Sequence, residues 1–125
     1  LNLTPGSTSN VVITQGTLIL SSETITSVTA TKAVTKSISY YDVTGGSALT
    51  TSVVGQPVTA GQIWHILFDN ADNIGTSLQV NFGSNGLASG SGLAQYITFN
   101  THGQSASLIY IGSKWRIINT GAAVS

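Results

Sequence analysis

The stretch Tyr110-Ile111-Gly112-Ser113-Lys114-Trp115-Arg116-Ile117-Ile118-Asn119 decides the fold class. Two runs of β-branched and aromatic residues flank a Gly-Ser link, the pattern of a tight β-hairpin whose turn needs positive φ. With Gly112 and Ser113 in the turn, Ile111 faces Lys114, Tyr110 faces Trp115, Ile109 faces Arg116 and Leu108 faces Ile117. Alternation then gives two unlike faces. Leu108, Tyr110, Trp115 and Ile117 read as a wall of the core. Ile109, Ile111 and Ile118, beside Lys114 and Arg116, form a face too apolar for comfortable exposure, so we expect it to meet a partner.

Upstream, the same alternation recurs. In Gln62-Ile-Trp-His-Ile-Leu-Phe68, Trp64, Ile66 and Phe68 share one parity, and Ile63, His65 and Leu67 share the other. Both faces need cover. Leu78, Val80 and Phe82 alternate with Ser77, Gln79 and Asn81, the cleanest half-buried strand pattern in the chain. Residues 94–100 give another strand with Ile97 and Phe99 on one face. Residues 23–41 read as two strands turning near Thr31 and Lys32, because β-branched and hydroxyl residues disfavour a helix there. Residues 49–54 add a short strand. Residues 11–14 and 17–20, parted by Gln15-Gly16, read as a first strand or small hairpin, and the Gly- and Ser-rich residues 83–92 as a mobile loop. Eight to ten short strands without a helical period or visible repeat predict an all-β, antiparallel, jelly-roll-like β-sandwich.

A chain of 125 residues suits one domain, which buries roughly two-thirds of its unfolded surface. Residues 1–20, rich in turn formers at the start, are expected to form an arm or first strand used for attachment, and residues 21–125 the sandwich. Ser and Thr number 34, while charged residues make up only 6% against a usual ~25%. The surface is hydroxyl and amide. Hydrophobic content of 41% argues for a packed core over disorder.

Zero net charge and four scattered cations remove the electrostatic basis of nucleic-acid binding and favour self-association. Without Cys there are no disulfides or thiolate metal sites, and either redox compartment is tolerated. No apolar run approaches the ~20 residues of a membrane helix, so membrane insertion is not expected. The absence of Met, at position 1 and elsewhere, points to a processed or partial product.

Candidate chemistry is sparse. A catalytic reading, as a hydrolase, would pair His65 or His102 with Asp42, Asp69 or Asp72 and a serine, but no Gly-x-Ser-x-Gly elbow exists, and we expect no enzyme. Asp69-Asn-Ala-Asp-Asn73 places Ala71 where a second calcium ligand belongs, and the histidines lack companions for zinc. Residues 83–92 lack the Gly-Lys-Ser/Thr end of a phosphate loop. Neither metal nor other cofactor is expected. Tyr40, Tyr41 and Tyr96 are the candidate exposed platforms for a sugar ring.

Gly61-Gln-Ile-Trp-His-Ile-Leu-Phe-Asp-Asn70, Leu78-Gln-Val-Asn-Phe-Gly83 and Ser107-Leu-Ile-Tyr-Ile-Gly-Ser-Lys-Trp-Arg-Ile-Ile-Asn-Thr120 together resemble the terminal β-modules of virion surface proteins. Such modules occur in fibres, fibre tips and capsid decorations of tailed phages and some large DNA viruses. The resemblance covers roughly residues 55–120. It implies a non-enzymatic homotrimer on the virion surface, in contact with other virion proteins, with a glycan-binding fibre tip or lectin-like module as the alternative. The expected subunit interface is Ile63, His65, Leu67, Ile109, Ile111, Arg116 and Ile118. The expected core is Trp64, Phe68, Val80, Phe82, Phe99, Tyr110, Trp115 and Ile117.

Overall fold

A computed structural model describes residues 15–54, 60–70, 75–90 and 92–125. Twelve short strands and no helix occur among them: β1 (Ser22–Ile25), β2 (Thr31–Ala33), β3 (Ile38–Val43), β4 (Ala48–Val54), β5 (Ile63–Asn70), β6 (Ser77–Asn81), β7 (Leu87–Ser89), β8 (Gly92–Ala94), β9 (Tyr96–Phe99), β10 (Ser105–Ile111), β11 (Lys114–Thr120) and β12 (Ala123–Val124). They form two packed sheets, ordered β1-β3-β5-β10-β11-β7-β8 and β12-β9-β6-β4-β2. The predicted all-β sandwich is therefore present.

Its strand directions differ from the antiparallel, jelly-roll-like expectation. From β1 to β6 the chain alternates between the sheets. The odd strands pair in parallel in the larger sheet, and the even strands pair in parallel in the smaller one. This half is a two-sheet coil. Its register pairs Ser22 with Ile38, Thr31 with Ser52, Ile38 with His65 and Ala48 with Ser77. Each winding is longer than the last, so no fixed period exists in the sequence. The second half closes the sandwich with antiparallel strands, β9 on β6 and β10 on β5.

The closing hairpin has the register read from sequence: Ile111 opposite Lys114, Tyr110 opposite Trp115, Ile109 opposite Arg116 and Leu108 opposite Ile117. Its turn takes φ of 63° at Gly112 and 61° at Ser113, the doubly positive geometry that matches strand twist. A bulge then shifts register between Ser107 and Leu108, and Ile118 is the extra residue on the partner strand.

Several local expectations change. Thr31 and Lys32 lie in β2 and are not a turn, so residues 23–41 hold three strands where two were expected. Residues 83–92 contain β7, whose Leu87 is fully buried against β11, so they are not simply a loop. Residues 17–20 carry no strand, and residues 11–14 lie outside the described residues.

The core centres on Trp64, whose ring lies 5.7 Å from Trp115 and 6.1 Å from Phe82. Tyr110 meets Trp115 edge-on at 5.4 Å, and Phe68 meets Phe99 at 5.8 Å. These are favourable aromatic separations. Trp64, Phe68, Val80, Phe82, Phe99 and Trp115 are buried as expected, whereas Tyr110 and Ile117 are half-buried and pack on the core margin. Tyr41, expected to be exposed, is buried; its hydroxyl has no hydrogen-bond partner among the described residues.

One polar path enters this core. The Trp64 indole donates to Ser39 Oγ at 2.9 Å, and Ser39 donates to Glu23 Oε1 at 2.7 Å. Glu23 pairs with Lys32 across the β1/β2 edge. Ser39 is fully buried, so its hydroxyl serves both as acceptor and as donor. Burial raises the Glu23 pKa, but hydrogen bonds from Lys32 and Ser39 outweigh it and hold the carboxyl below its ordinary value.

Candidate functional site

The two sheets present very different outer faces. On the larger sheet, cross-strand register aligns Ile63, Ile109, Arg116, Ala88 and Leu93 in one row over five strands. The next row holds Ile38, His65, Ser107 and Asn119, and a third holds Tyr40, Leu67 and Ser105. Ile111 extends the apolar end and the bulged Ile118 sits between the first two rows, exposed by 47% and 58%. Ile63, Leu67 and Leu93 are exposed too, and Ile109 is half-buried. All seven residues expected at a subunit interface thus share one face. Ile38, Ala88 and Leu93 join them, and sequence reasoning missed these three because their pairing to β5 and β11 is parallel or reached through a Gly-rich segment.

The charges on this face are tied down locally. Lys114 Nζ donates to the Asn85 carbonyl at 2.8 Å, and Arg116 Nε to the Ile111 carbonyl at 3.2 Å. His65 Nδ1 lies 2.8 Å from Ser107 Oγ across the β5–β10 pair. At the opposite end, Tyr40 donates to Asp69 Oδ2 at 2.7 Å, and His102 Nδ1 lies 3.3 Å from Asp69 Oδ1. The bond to Asp69 pushes the Tyr40 pKa up to about 12.

The elements of a hydrolytic triad are therefore split. His65 has a serine but no carboxylate among the described hydrogen bonds, and His102 has a carboxylate but no serine. Asp42 pairs beside Asp69 in the β3–β5 register, and Asp72 lies outside the described residues. Among the described residues no three His, Cys, Asp or Glu side chains converge as a metal site. One shallow cleft of about 380 Å³ opens at the β1/β2 edge, lined by residues that include Glu23, Ile25, Thr29 and Lys32. No described helix is long and apolar enough to cross a membrane.

The smaller sheet's outer face is mostly hydroxyls and amides, with Val54 exposed beside them at the end of β4. Thr50, Gln79 and Thr98 align in one row, and Thr31, Ser52, Asn81 and Tyr96 in the next. Gln79 Nε2 donates to Thr98 Oγ1 at 3.3 Å, while Asn81 Oδ1 accepts from Gly83 N at 2.9 Å and Gln95 Nε2 at 3.2 Å. Lys32, the one charged residue of these five strands, turns inward to Glu23.

No protein-family model matches the chain, and no curated protein matches it in sequence.

Proposed function

We propose that this chain is a structural, non-catalytic module of a virion surface, a capsid decoration or fibre element that works by assembling as a homotrimer and contacting other virion proteins. The observation that carries the assembly is the cluster of exposed aliphatic side chains on the larger sheet, Ile63, Leu67, Leu93, Ile111 and Ile118, gathered around the row that crosses five strands. An apolar patch of this kind is the usual mark of a protein–protein contact. The virion setting follows from the resemblance of the Gly61, Leu78 and Ser107 segments to virion β-modules.

The test is native mass. The wild-type chain is expected at three times its 12.8 kDa, and Ile109→Asp with Ile111→Asp to yield a folded monomer. A wild-type monomer at micromolar concentration defeats the reading.

A second reading, glycan recognition, is favoured by the charge-free rows of the smaller sheet. Planar amides and hydroxyls there match the donors and acceptors of a neutral sugar, and half-buried Tyr96 adds an aromatic ring to the same row. Binding on a glycan array that is lost in Gln79→Ala and Tyr96→Ala supports it; an array without hits removes it.

A further inference from the structure

Residues 17–20, Thr-Leu-Ile-Leu, belong to neither sheet. Leu18, Ile19 and Leu20 are exposed by 67%, 86% and 40%, and no charge lies between Gln15 and Ser22. Each such side chain left in water forgoes the stabilisation that burial would give it. Three in succession are a surface waiting for cover.

The chain's own larger sheet does not cover them. Ser21 pins the segment to the sheet edge, where its carbonyl accepts from Ile38 N at 3.0 Å and its hydroxyl from Ser37 N at 3.1 Å. The chain upstream then leaves past the start of β3. Register places that exit level with Ile63, because Ser22 pairs with Ile38 and Ile38 with His65. Ile109 pairs with Ile63, and Ile111 lies farther out at the same end. The uncovered arm and the uncovered isoleucines therefore lie at one end of one sheet, yet the arm stays exposed and does not lie on its own face.

We infer that residues 18–20 of one copy lie across Ile63, Ile109, Ile111 and Ile118 of a second copy. This rests on the assembly proposed above and names the segment that seals it. The two surfaces match in chemistry. The arm is aliphatic and uncharged, and the cations beside the isoleucines already have carbonyl acceptors at 2.8 and 3.2 Å, so they require no carboxylate from the arm. Passing each arm to the next copy leaves no arm uncovered when three copies close a ring.

The chain has no Cys, which permits a direct test. The double variant Ile19→Cys/Ile111→Cys, oxidised after assembly, is expected to give covalent dimers and trimers on a denaturing gel. The pair Ile19→Cys/Thr50→Cys, with its second thiol on the opposite sheet, serves as the control. Separately, Leu18→Ser with Ile19→Ser is expected to weaken assembly by about tenfold or more, from the apolar burial lost. An intramolecular disulfide as the main product, or a native trimer that neither cross-links at these positions nor weakens in the Ser variant, overturns the arm contact and leaves face-to-face assembly standing. A wild-type monomer overturns both.

Discussion

Ser39 is the residue on which the interior polar path turns. Its hydroxyl accepts from Trp64 and donates to Glu23, so Ser39→Ala strands a buried indole N–H. A loss of about 1–3 kcal/mol is expected for such an orphaned donor, measurable by urea unfolding, together with a shift in Trp64 emission. Glu23 links the path to pH. Its carboxyl titrates below the ordinary 4.5, so its contribution is fully present above that pH and is lost as pH falls below it; Glu23→Gln should flatten the acid limb of a stability profile. Tyr40 and Tyr41 act with the opposite sign. Hydrogen bonding to Asp69 raises Tyr40 from 10 to about 12, and burial raises Tyr41. Folding favours their protonated forms, so that stability is present below pH 10 and is lost as pH rises through the folded values. Tyr40→Phe should remove part of that alkaline loss in a denaturation series.

At the scale of the element, the hairpin of β10 and β11 was legible pair by pair, because a two-residue link fixes register and alternation fixes the faces. Ile118 also reached the outer face as read, although the bulge beside it leaves no sequence mark. The strands β1 to β3 were not legible as a coil. Hairpin reasoning pairs neighbours in sequence, whereas residues 26–30 carry the chain across to the other sheet. Residues 83–92 misled through composition: Gly and Ser suggested a loop, and Leu87 alone signalled burial. Gly86 shows what that segment requires. A Cβ there would lie 2.0 Å from the Phe82 carbonyl oxygen, while the Gly86 carbonyl receives Trp115 N at 3.1 Å. Gly86→Ala should therefore displace β7 from β11 and cost stability on the scale of Trp115→Ala, about 3–5 kcal/mol, with both losses visible in thermal melts.

For the whole molecule, the contrast between the two outer faces gives the proposed assembly a testable salt dependence. Assembly through aliphatic side chains, with the nearby cations bonded to carbonyls, should be nearly indifferent to salt. Sedimentation at about 0.1 and about 1 M salt is expected to give the same mass, since screening acts on exposed charge pairs and not on apolar burial. A mass that falls with salt would instead assign the contact to Lys114 and Arg116. The exposed apolar residues of β5, β10 and β11 in the larger sheet were legible because they violate the inside–outside pattern on strands already predicted. The hydroxyl–amide field of the smaller sheet was not, because single Thr, Gln and Asn positions look like ordinary surface until register aligns them.

The coil of β1 to β6 also sets an order in time. From β3 onward each of its strands pairs with one that precedes it in the chain, β3 on β1, β4 on β2, β5 on β3 and β6 on β4. A chain leaving the ribosome from its N-terminus can therefore lay down each winding on a template already made, leaving the free edges of β5 and β6 for β10 and β9. Trp64 and Phe68 must wait for the second half, because Phe82 and Trp115, which close around the first, and Phe99, which packs on the second, are synthesised after them. The last hairpin is the step that turns a stack of windings into a finished core.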